Sequence, residues 1–506
     1  MAKYLLGIDN GGTMAKAALF TPDGTELAVA SRKSEMLDVN PGWAEFDMSK
    51  VWTNTSGAIK EVLETSGIDP TDIIAIACSG HGNGLYLVDE NAQPVYNAIY
   101  SSDGRARAYI DQWTEDGTGE RMRPKTMQAI WPAQPNALLR WFMDNDPETL
   151  EKTRWVLMCK DFVRAQLTGE IYMELSDMSA TSLMNVETAD YDDDVMAAWG
   201  LESLTDKLPP LKFAGDLCGK ITAEAAAATG LAEGTPVAGG MFDVDACGLA
   251  SGLVDDDAIS MVGGTWGNNQ YASKTPIVHD VFITSRYVIP GYYYMLEGSP
   301  TSASNLEWMV TEFFQAEKKL AEADGKSVYD VCNEIVASTG PKDSGLIFLP
   351  FLYGCNVSLD GKACFIGLDG WQKRGHVLRA IYEGVVFAHK WHMNKLLKHR
   401  DMPDSIRLTG GAARSVEWVQ IFADVFQVPV RVPAGTELGA LGAAMCAGVA
   451  VGEFDSYEAA AESMVSFARI QEPNTELAGL YEKKFARYTK ILDLMQDQWA
   501  DLVWQA

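Results

Sequence analysis

Positive charge is what this 506-residue sequence has least of: 41 lysines and arginines stand against 69 aspartates and glutamates, a formal net charge of −28 at pH 7. Such a surface repels the nucleic-acid backbone and anionic lipid, so neither is expected as a partner. An anionic small molecule would have to be held by local dipoles or a metal ion. Long apolar runs are missing too. The longest weakly polar stretch, residues 438–452, is rich in glycine and alanine and falls short of the roughly 20 apolar residues that span a bilayer. Met1-Ala-Lys-Tyr4 leads straight into an apolar run and leaves no room for a signal peptide, so the start reads as cytoplasmic. The eight cysteines include no Cys-x-x-Cys pair and read as small core residues of a reduced protein. Six histidines are present. His389 and His392, with His399 beyond them, invite a metal reading, but without nearby Cys or Asp ligands helix packing is preferred.

What is present begins at residue 4. Tyr4-Leu-Leu-Gly-Ile8 reads as a buried strand that runs into Asp9-Asn10-Gly11-Gly12-Thr13. In a Walker or dinucleotide-binding loop the glycines open a helix, yet residues 14–20 show no helical stripe and stop at Thr21-Pro22-Asp23-Gly24, after which a strand over 26–30 returns. Glycines let a backbone approach a polyphosphate, and successive N–H groups with the Thr13 hydroxyl can donate to its oxygens. Asp9 would sit beside them to hold a magnesium ion. An ordinary hairpin whose glycines satisfy positive φ angles accounts for the same residues equally well.

The length calls for two large domains, and alternating strand and helix patterns, with a buried strand at 73–78 and helices at 48–64 and 135–144, argue for α/β layers. The opening device then recurs: Ala258-Ile-Ser-Met-Val262 ends in Gly263-Gly264-Thr265, so the chain begins again near residue 255. A third apolar strand, Ile406-Arg-Leu-Thr409, ends in Gly410-Gly411-Ala412-Ala413, and Ser415 is placed to cap a helix over 416–426 whose dipole would face an anion in that loop. A helix over 376–397 carries Leu378, Ile381, Val385, Ala388 and Trp391 on one face. A long amphipathic helix bearing Leu477, Tyr481, Phe485, Tyr488, Leu492, Met495 and Trp499 should close the second domain. Three glycine loops after apolar strands suggest a polyphosphate clamp.

The strand, Asp-x-Gly-Gly-Thr turn and returning strand resemble the opening of the actin-like ATPase and sugar-kinase superfamily. Ala363-Cys-Phe-Ile-Gly367-Leu368, followed after seven residues by His376-Val-Leu-Arg-Ala-Ile-Tyr-Glu383, matches the second signature of the FGGY carbohydrate kinases at every defined position. The first signature fits less well: Pro135, Leu139, Trp141, Phe142, Asp144 and Asn145 fall in place, but Leu138 stands where lysine is expected and Ala133 is off-pattern. The likeness covers nearly the whole chain, including Lys160-Asp161, Leu167-Thr-Gly-Glu170 and Glu437-Leu-Gly-Ala-Leu-Gly-Ala-Ala444. It implies an α/β, duplicated actin-like (ribonuclease H-like) ATPase fold with a catalytic cleft between two domains. Residues 1–254 would bind sugar and carry the base; residues 255–506 would bind mainly ATP. ATP and Mg²⁺ are the implied cofactors, a small sugar or polyol the implied partner, and dimers are common among kinases of this kind.

A sugar kinase must take a proton from the attacking hydroxyl, usually by a carboxylate within hydrogen-bond reach. Register against the xylulose kinases places Asp243, in Gly239-Gly240-Met-Phe-Asp243-Val-Asp245, at that base. Asp245 would be its structural neighbour, and either carboxylate could instead cap a helix opening near Val244. Asp103 falls where the family accepts hydrogen bonds from sugar hydroxyls, with Arg105 holding it. His81 and Asn83 lie in the loop Ser79–Gly84, which in many xylulose kinases reads Ser-Gly-Gln-Met-His-Gly; Asn83 replaces the family histidine, and His81 is either a sugar contact or a satisfied loop residue. Lys16 stands where glycerol kinases carry a phosphate-reaching arginine, or it faces water. Gly264 and Thr265 would donate to phosphates; Gly410, Gly411, Ala412 and Ser415 would line the nucleotide. Trp266 is expected to pack rather than stack on adenine. Several segments, among them Gly298-Ser-Pro-Thr-Ser302 and Phe348–Gly354, look most like the L-xylulose kinase branch, which implies phosphorylation of a ketopentose at its terminal hydroxyl. Readings left open are a polyol kinase of erythritol or glycerol type, an actin- or Hsp70-like ATPase without an acceptor, and a sensor with a degenerate site.

Overall fold

The computed structural model describes residues 2–356 and 361–502. Its backbone divides into two compact units, one built from Met1–Val254, Ala272–Met295 and Gly435–Ser466, the other from Asp255–Tyr271, Leu296–Ala434 and Phe467–Ala506.

The first unit is organised by a sheet of β1 (Tyr4–Asn10), β2 (Met14–Phe20), β3 (Glu26–Lys33), β4 (Ile73–Gly80), β5 (Leu217–Lys220) and β6 (Pro236–Ala238), in the order β5-β6-β4-β1-β2-β3. Strand β1 is central and buried on both sides, which explains its unbroken apolar run; β3 lies at the edge and alternates, burying Ala28 and Ala30. β1 and β2 form the expected antiparallel hairpin, while β4 runs parallel to β1 with Asp9 opposite Ser79. The helix Met48–Ser66 begins where Asp47 accepts from the Ser49 backbone N–H and ends at Gly67 in the left-handed conformation.

The glycine–alanine run that is too short for a membrane is the helix Leu438–Ala450. No helix among the described residues is long and apolar enough to cross one. Its small residues allow close approach to β1: a Cβ on Gly7 would lie 1.8 Å from the Ala440 carbonyl oxygen, and one on Gly442 would lie 2.2 Å from that of Ala246.

The second unit repeats the device. β7 (Ala258–Gly263) and β8 (Gly267–Ser273) form an antiparallel hairpin around Gly264-Thr265-Trp266, and β9 (Ser405–Thr409) runs parallel to β7 and ends in the third glycine loop. β10 (Val430–Pro433) and β11 (Phe467–Gln471) continue in the order β8-β7-β9-β10-β11. Each unit therefore holds a hairpin closed by a glycine turn beside a parallel third strand, the duplication that the repeated Gly-Gly-Thr announces. The helix Arg374–Leu396 is buried nearly all round its middle and holds Glu383, which accepts from Lys484 (2.7 Å) and Arg379 (3.1 Å) and so docks the helix Ala478–Gln496. The terminal helix is not continuous as expected. It stops at Gln496, and Trp499 starts a separate turn, Trp499–Leu502, where its ring is buried against Phe351.

Candidate active site

Three parallel segments of the first unit end together. Asp9 lies opposite Ser79, and Phe242, in the short strand Met241–Phe242, lies opposite Gly80, so Asp9 and Asp243 emerge at the carboxyl ends of the two strands that flank β4. In open α/β sheets that is where ligands bind. Gly240 makes the arrangement: its φ is +84°, and a Cβ there would sit 2.1 Å from the Cys78 carbonyl oxygen, so only glycine brings Met241 beside β4.

Asp243 opens the helix Asp243–Ala250, whose cap position is Phe242 with no side-chain cap bond. Neither Asp243 nor Asp245 is a helix cap, which corrects that reading. Asp245 is fully buried, and neither carboxyl oxygen has a hydrogen-bond partner among the described residues. Burial, then the charges of Asp9 and Asp177, push the Asp243 carboxyl well above the usual carboxylate range. Asp9 is raised by burial as well, against the opposing hydrogen bond from Ser79 Oγ (2.8 Å) and the charge of Lys16. A Cβ on Gly439 would lie 2.5 Å from the Asp9 carboxyl carbon, so the first turn of the helix Leu438–Ala450 closes over it. Behind this pair the buried Lys160 ammonium is shared by Asp161 (2.8 Å), Asp177 (3.1 Å) and Glu174 (3.5 Å). Asp161 is also paired with Arg164 (2.8 Å), and Asp177 is pushed up to about 7, chiefly by burial. A carboxyl held short of full ionisation in this way suits proton abstraction.

The first glycine loop is neither alternative in pure form. Gly11 and Gly12 have no positive φ, so turn geometry does not demand them. Gly12 is demanded by packing, since a Cβ would fall 2.0 Å from the Tyr100 hydroxyl oxygen; Gly11 has room, its nearest neighbour 3.7 Å away. Thr13 is exposed beside them. Lys16 neither points to open water nor stands free for phosphate: its ammonium lies 2.6 Å from Glu437, the residue just before the helix over Asp9.

Asp103 is buried, and its oxygens accept from Arg105 Nε and Nη2 (2.9 Å each), from the Arg105 backbone N–H (2.9 Å) and from the Ala44 N–H (2.7 Å). Arg105 also binds Glu45 (2.6 Å) and covers the Trp43 ring. The carboxylate is thereby committed within the protein, and it anchors a wall of charge and aromatic rings. His81 is a buried loop histidine with Nε2 3.0 Å from the Tyr86 hydroxyl and its ring edge-on to Tyr100; burial pushes it down to about 4, so it is neutral. Asn83 is buried in the left-handed region (φ 59°) with Oδ1 unpartnered, and between them Gly82 lies against Asp177 Oδ1, also unpartnered. Orphaned acceptors in and against this loop suit donation by ligand hydroxyls.

In the second unit a cavity of about 580 Å³ brings the other two glycine loops together, lined by Gly264, Thr265, Gly411 and Ser415 and by the stacked rings of Tyr382 and Trp418. The glycines divide by purpose. Gly263 and Gly410 let the loops touch: a Cβ on Gly410 would lie 2.8 Å from the Gly263 carbonyl, and one on Gly263 would lie 2.6 Å from the Cβ of Ala412, which is buried behind the lining. Gly264 and Gly411 meet nothing closer than 3.6 and 3.8 Å, so their backbones are open to a ligand. Ser415 caps the helix Val416–Phe426, accepting from the Trp418 N–H (3.0 Å), and its own O–H is then free to donate to Asn333 Oδ1 (2.7 Å), which also accepts from the Tyr382 hydroxyl (2.9 Å). Asn333 therefore turns its amide nitrogen to the cavity. Nothing in its local sequence signals that position. Trp266 is 39% exposed and absent from the lining, so it is not the packed residue expected.

His389 bonds Asn269 (2.9 Å) and Ser302 (3.0 Å), and His392 bonds Glu297 (2.8 Å), so both are buried structural residues. No group of three or more His, Cys, Asp or Glu side chains placed to hold a metal occurs among the described residues. The described residues thus form no protein cage, but Mg²⁺ commonly takes one or two carboxylates and completes its shell with water and phosphate oxygens. Asp9 and Asp243, close enough that the charge of Asp9 raises Asp243, fit that requirement.

Two family models match the chain: the FGGY family of carbohydrate kinases, N-terminal domain, over residues 4–250, and the C-terminal domain of the same family over 259–451. The L-xylulose/3-keto-L-gulonate kinase of Escherichia coli (strain K12) is 36% identical over 498 residues, 98% of each chain. The probable L-xylulose kinase of Pasteurella multocida (strain Pm70) is 36% identical over 493 residues, 96% of this chain and 98% of the relative. Among solved structures, the xylulose kinase from Rhodospirillum rubrum superposes with a TM-score of 0.87 at 25% identity, covering 98% of this chain and 100% of its own.

Proposed function

Because the chain belongs to the FGGY family of carbohydrate kinases, we propose that it transfers the γ-phosphoryl group of ATP to the terminal hydroxyl of a ketopentose, L-xylulose or D-xylulose. The observation that carries the reading is Asp243, a carboxylate at the carboxyl edge of the first sheet that burial and two like charges make basic. In the proposed reaction Asp243 takes the proton of the attacking hydroxyl as its oxygen bonds to phosphorus and the bond to ADP breaks. His81 and Asn83 face the sugar, the latter offering its orphaned Oδ1, while Asp103 acts through Arg105 to hold the surrounding wall. Residues 1–254 would carry this acceptor side and residues 255–506 most of the nucleotide side.

Thr13 and the backbone of Gly11 and Gly12 would steady the phosphates, with Lys16 exchanging Glu437 for a phosphate oxygen. The open backbones of Gly264 and Gly411, with Thr265 and Ser415, would hold the nucleotide in the second unit's cavity, and Gly410 and Ala412 would shape its loop. Asp9 would hold Mg²⁺, which when bound offsets negative charge on the phosphates. No disulfide links cysteines among the described residues, which supports a reducing compartment such as the cytoplasm.

The test is ADP release from ATP and Mg²⁺ across L-xylulose, D-xylulose, L-ribulose, glycerol and erythritol. One ketopentose should give the highest kcat/KM, and Asp243→Asn should lose about a thousandfold in turnover while remaining folded. ADP release indifferent to every acceptor would overturn the reading.

A further inference from the structure

A second site that the kinase chemistry does not use lies across one face of the sheet in the second unit. Ser260 on β7 pairs with Arg407 on β9, and Arg407 pairs with Arg431 on β10. Residues in register on neighbouring parallel strands share a face, so the three side chains form a row across the strands. Ile406 and Leu408, the neighbours of Arg407 in β9, point to the other face and are fully buried.

Every member of the row carries a buried donor without a hydrogen-bond partner among the described residues. Ser260 is completely buried and its hydroxyl makes no hydrogen bond; Nε and Nη1 of Arg407 and Nε of Arg431 are buried without an acceptor among the described residues. The Phe467 ring walls one side, 4.8 Å from the Arg407 guanidinium and 5.6 Å from that of Arg431. Arg431 is close enough to oppose the charge of Arg407, which Asp255 partly relieves. A chain with 69 acidic residues thus places two arginines together and gives neither an ion-pair partner among the described residues. Buried donors left open in a folded protein mark the place of a missing ligand, and adjacent guanidinium forks match the oxygens of a phosphoryl group.

We propose that Arg407, Arg431 and Ser260 form a binding site for a small dianionic oxyanion, inorganic phosphate or the phosphoryl group of a small metabolite, distinct from the nucleotide cavity. The two guanidiniums balance the two charges of such an anion, the serine hydroxyl donates to one oxygen, and Phe467 excludes water from one flank.

The experiment is calorimetric titration of the full chain, saturated with ADP to fill the nucleotide cavity, with inorganic phosphate and separately with malonate at matched ionic strength. Wild type should bind phosphate saturably. Arg431→Gln should weaken it at least about tenfold, one lost charge-assisted fork being worth that much, with turnover of ATP and sugar unchanged. Arg407→Lys, which keeps the charge and loses the fork, should weaken it too and covers the case in which Arg431→Gln fails to fold. The proposal falls if wild type shows no saturable binding, or if both variants bind phosphate as wild type does. Tighter binding of malonate than phosphate at the same residues would overturn the phosphoryl assignment.

Discussion

The hydroxyl of Tyr100 occupies the space where a side chain on Gly12 would begin: a Cβ there would sit 2.0 Å from that oxygen. The glycine pair therefore divides into a packing residue and an open one. Gly12→Ala should destabilise the protein by about 1–3 kcal/mol, the usual cost of overpacking, read as a lower melting temperature. Gly11→Ala has room for its methyl group, so it should melt near wild type and show its effect in a raised KM for ATP.

Lys16 and Glu437 make a partly exposed pair at 2.6 Å, and such pairs contribute on the order of 1 kcal/mol or less to stability. Lys16→Met should accordingly melt close to wild type. Its expected defect is a KM for ATP raised by about tenfold, the loss of one charge-assisted contact to phosphate. Equal KM values would show that the ammonium stays with Glu437 throughout.

Asp243 works as a base only when ionised, and its pKa is raised well above 3.8. Activity should therefore fall as pH drops through that raised value, while an ordinary carboxylate would still be charged. Asp177→Asn removes one of the like charges responsible and should move the acid limb of the kcat/KM profile to lower pH.

Asp177 also bears on stability. Its pKa is about 7 in the folded protein against 3.8 for the free side chain, so between those values the folded state holds a proton that the unfolded chain has lost. Stability should decline as pH rises from about 4 to about 7, with no contribution to the slope below that window. Urea unfolding at pH 5 and pH 8 should show the decline in wild type and a flatter dependence in Asp177→Asn.

Asn333 offers its amide nitrogen to the second unit's cavity because two hydroxyls hold its oxygen. Asn333→Ala should raise KM for ATP by about tenfold and leave KM for the sugar near wild type, the loss expected for a hydrogen bond with a partner left unpaired. Equal changes in both constants would mark a purely structural residue.

What the sequence disclosed is what neighbouring residues decide among themselves. The hairpins, the turn glycines and the Ser415 cap each depend on a few consecutive positions, and the register that brings Asp9 beside Ser79 follows from burying two apolar strands side by side. Lys16 and Glu437 meet across 421 positions, Gly12 is explained by Tyr100, and Asn333 by Ser415, 82 positions away. No local pattern encodes such meetings. Trp266 misled because a large aromatic after a glycine loop looks like core, while its actual place is set by which neighbouring segments reach it. The end of the terminal helix at Gln496 was hidden in the same way, since the helical spacing continues to Trp499 although the backbone does not.

The helix Leu438–Ala450, pressed on Gly7 of the first strand, ties the chain's beginning to a segment made more than 400 residues later. A ribosome must complete nearly the whole polypeptide before that face of β1 can be covered. Until then the apolar strand and the acidic residues beside it are exposed, which makes folding late, slow and dependent on protection of the nascent chain. A fragment ending at residue 254 would leave one face of β1 bare and should aggregate, and adding back the peptide 435–466 should restore solubility.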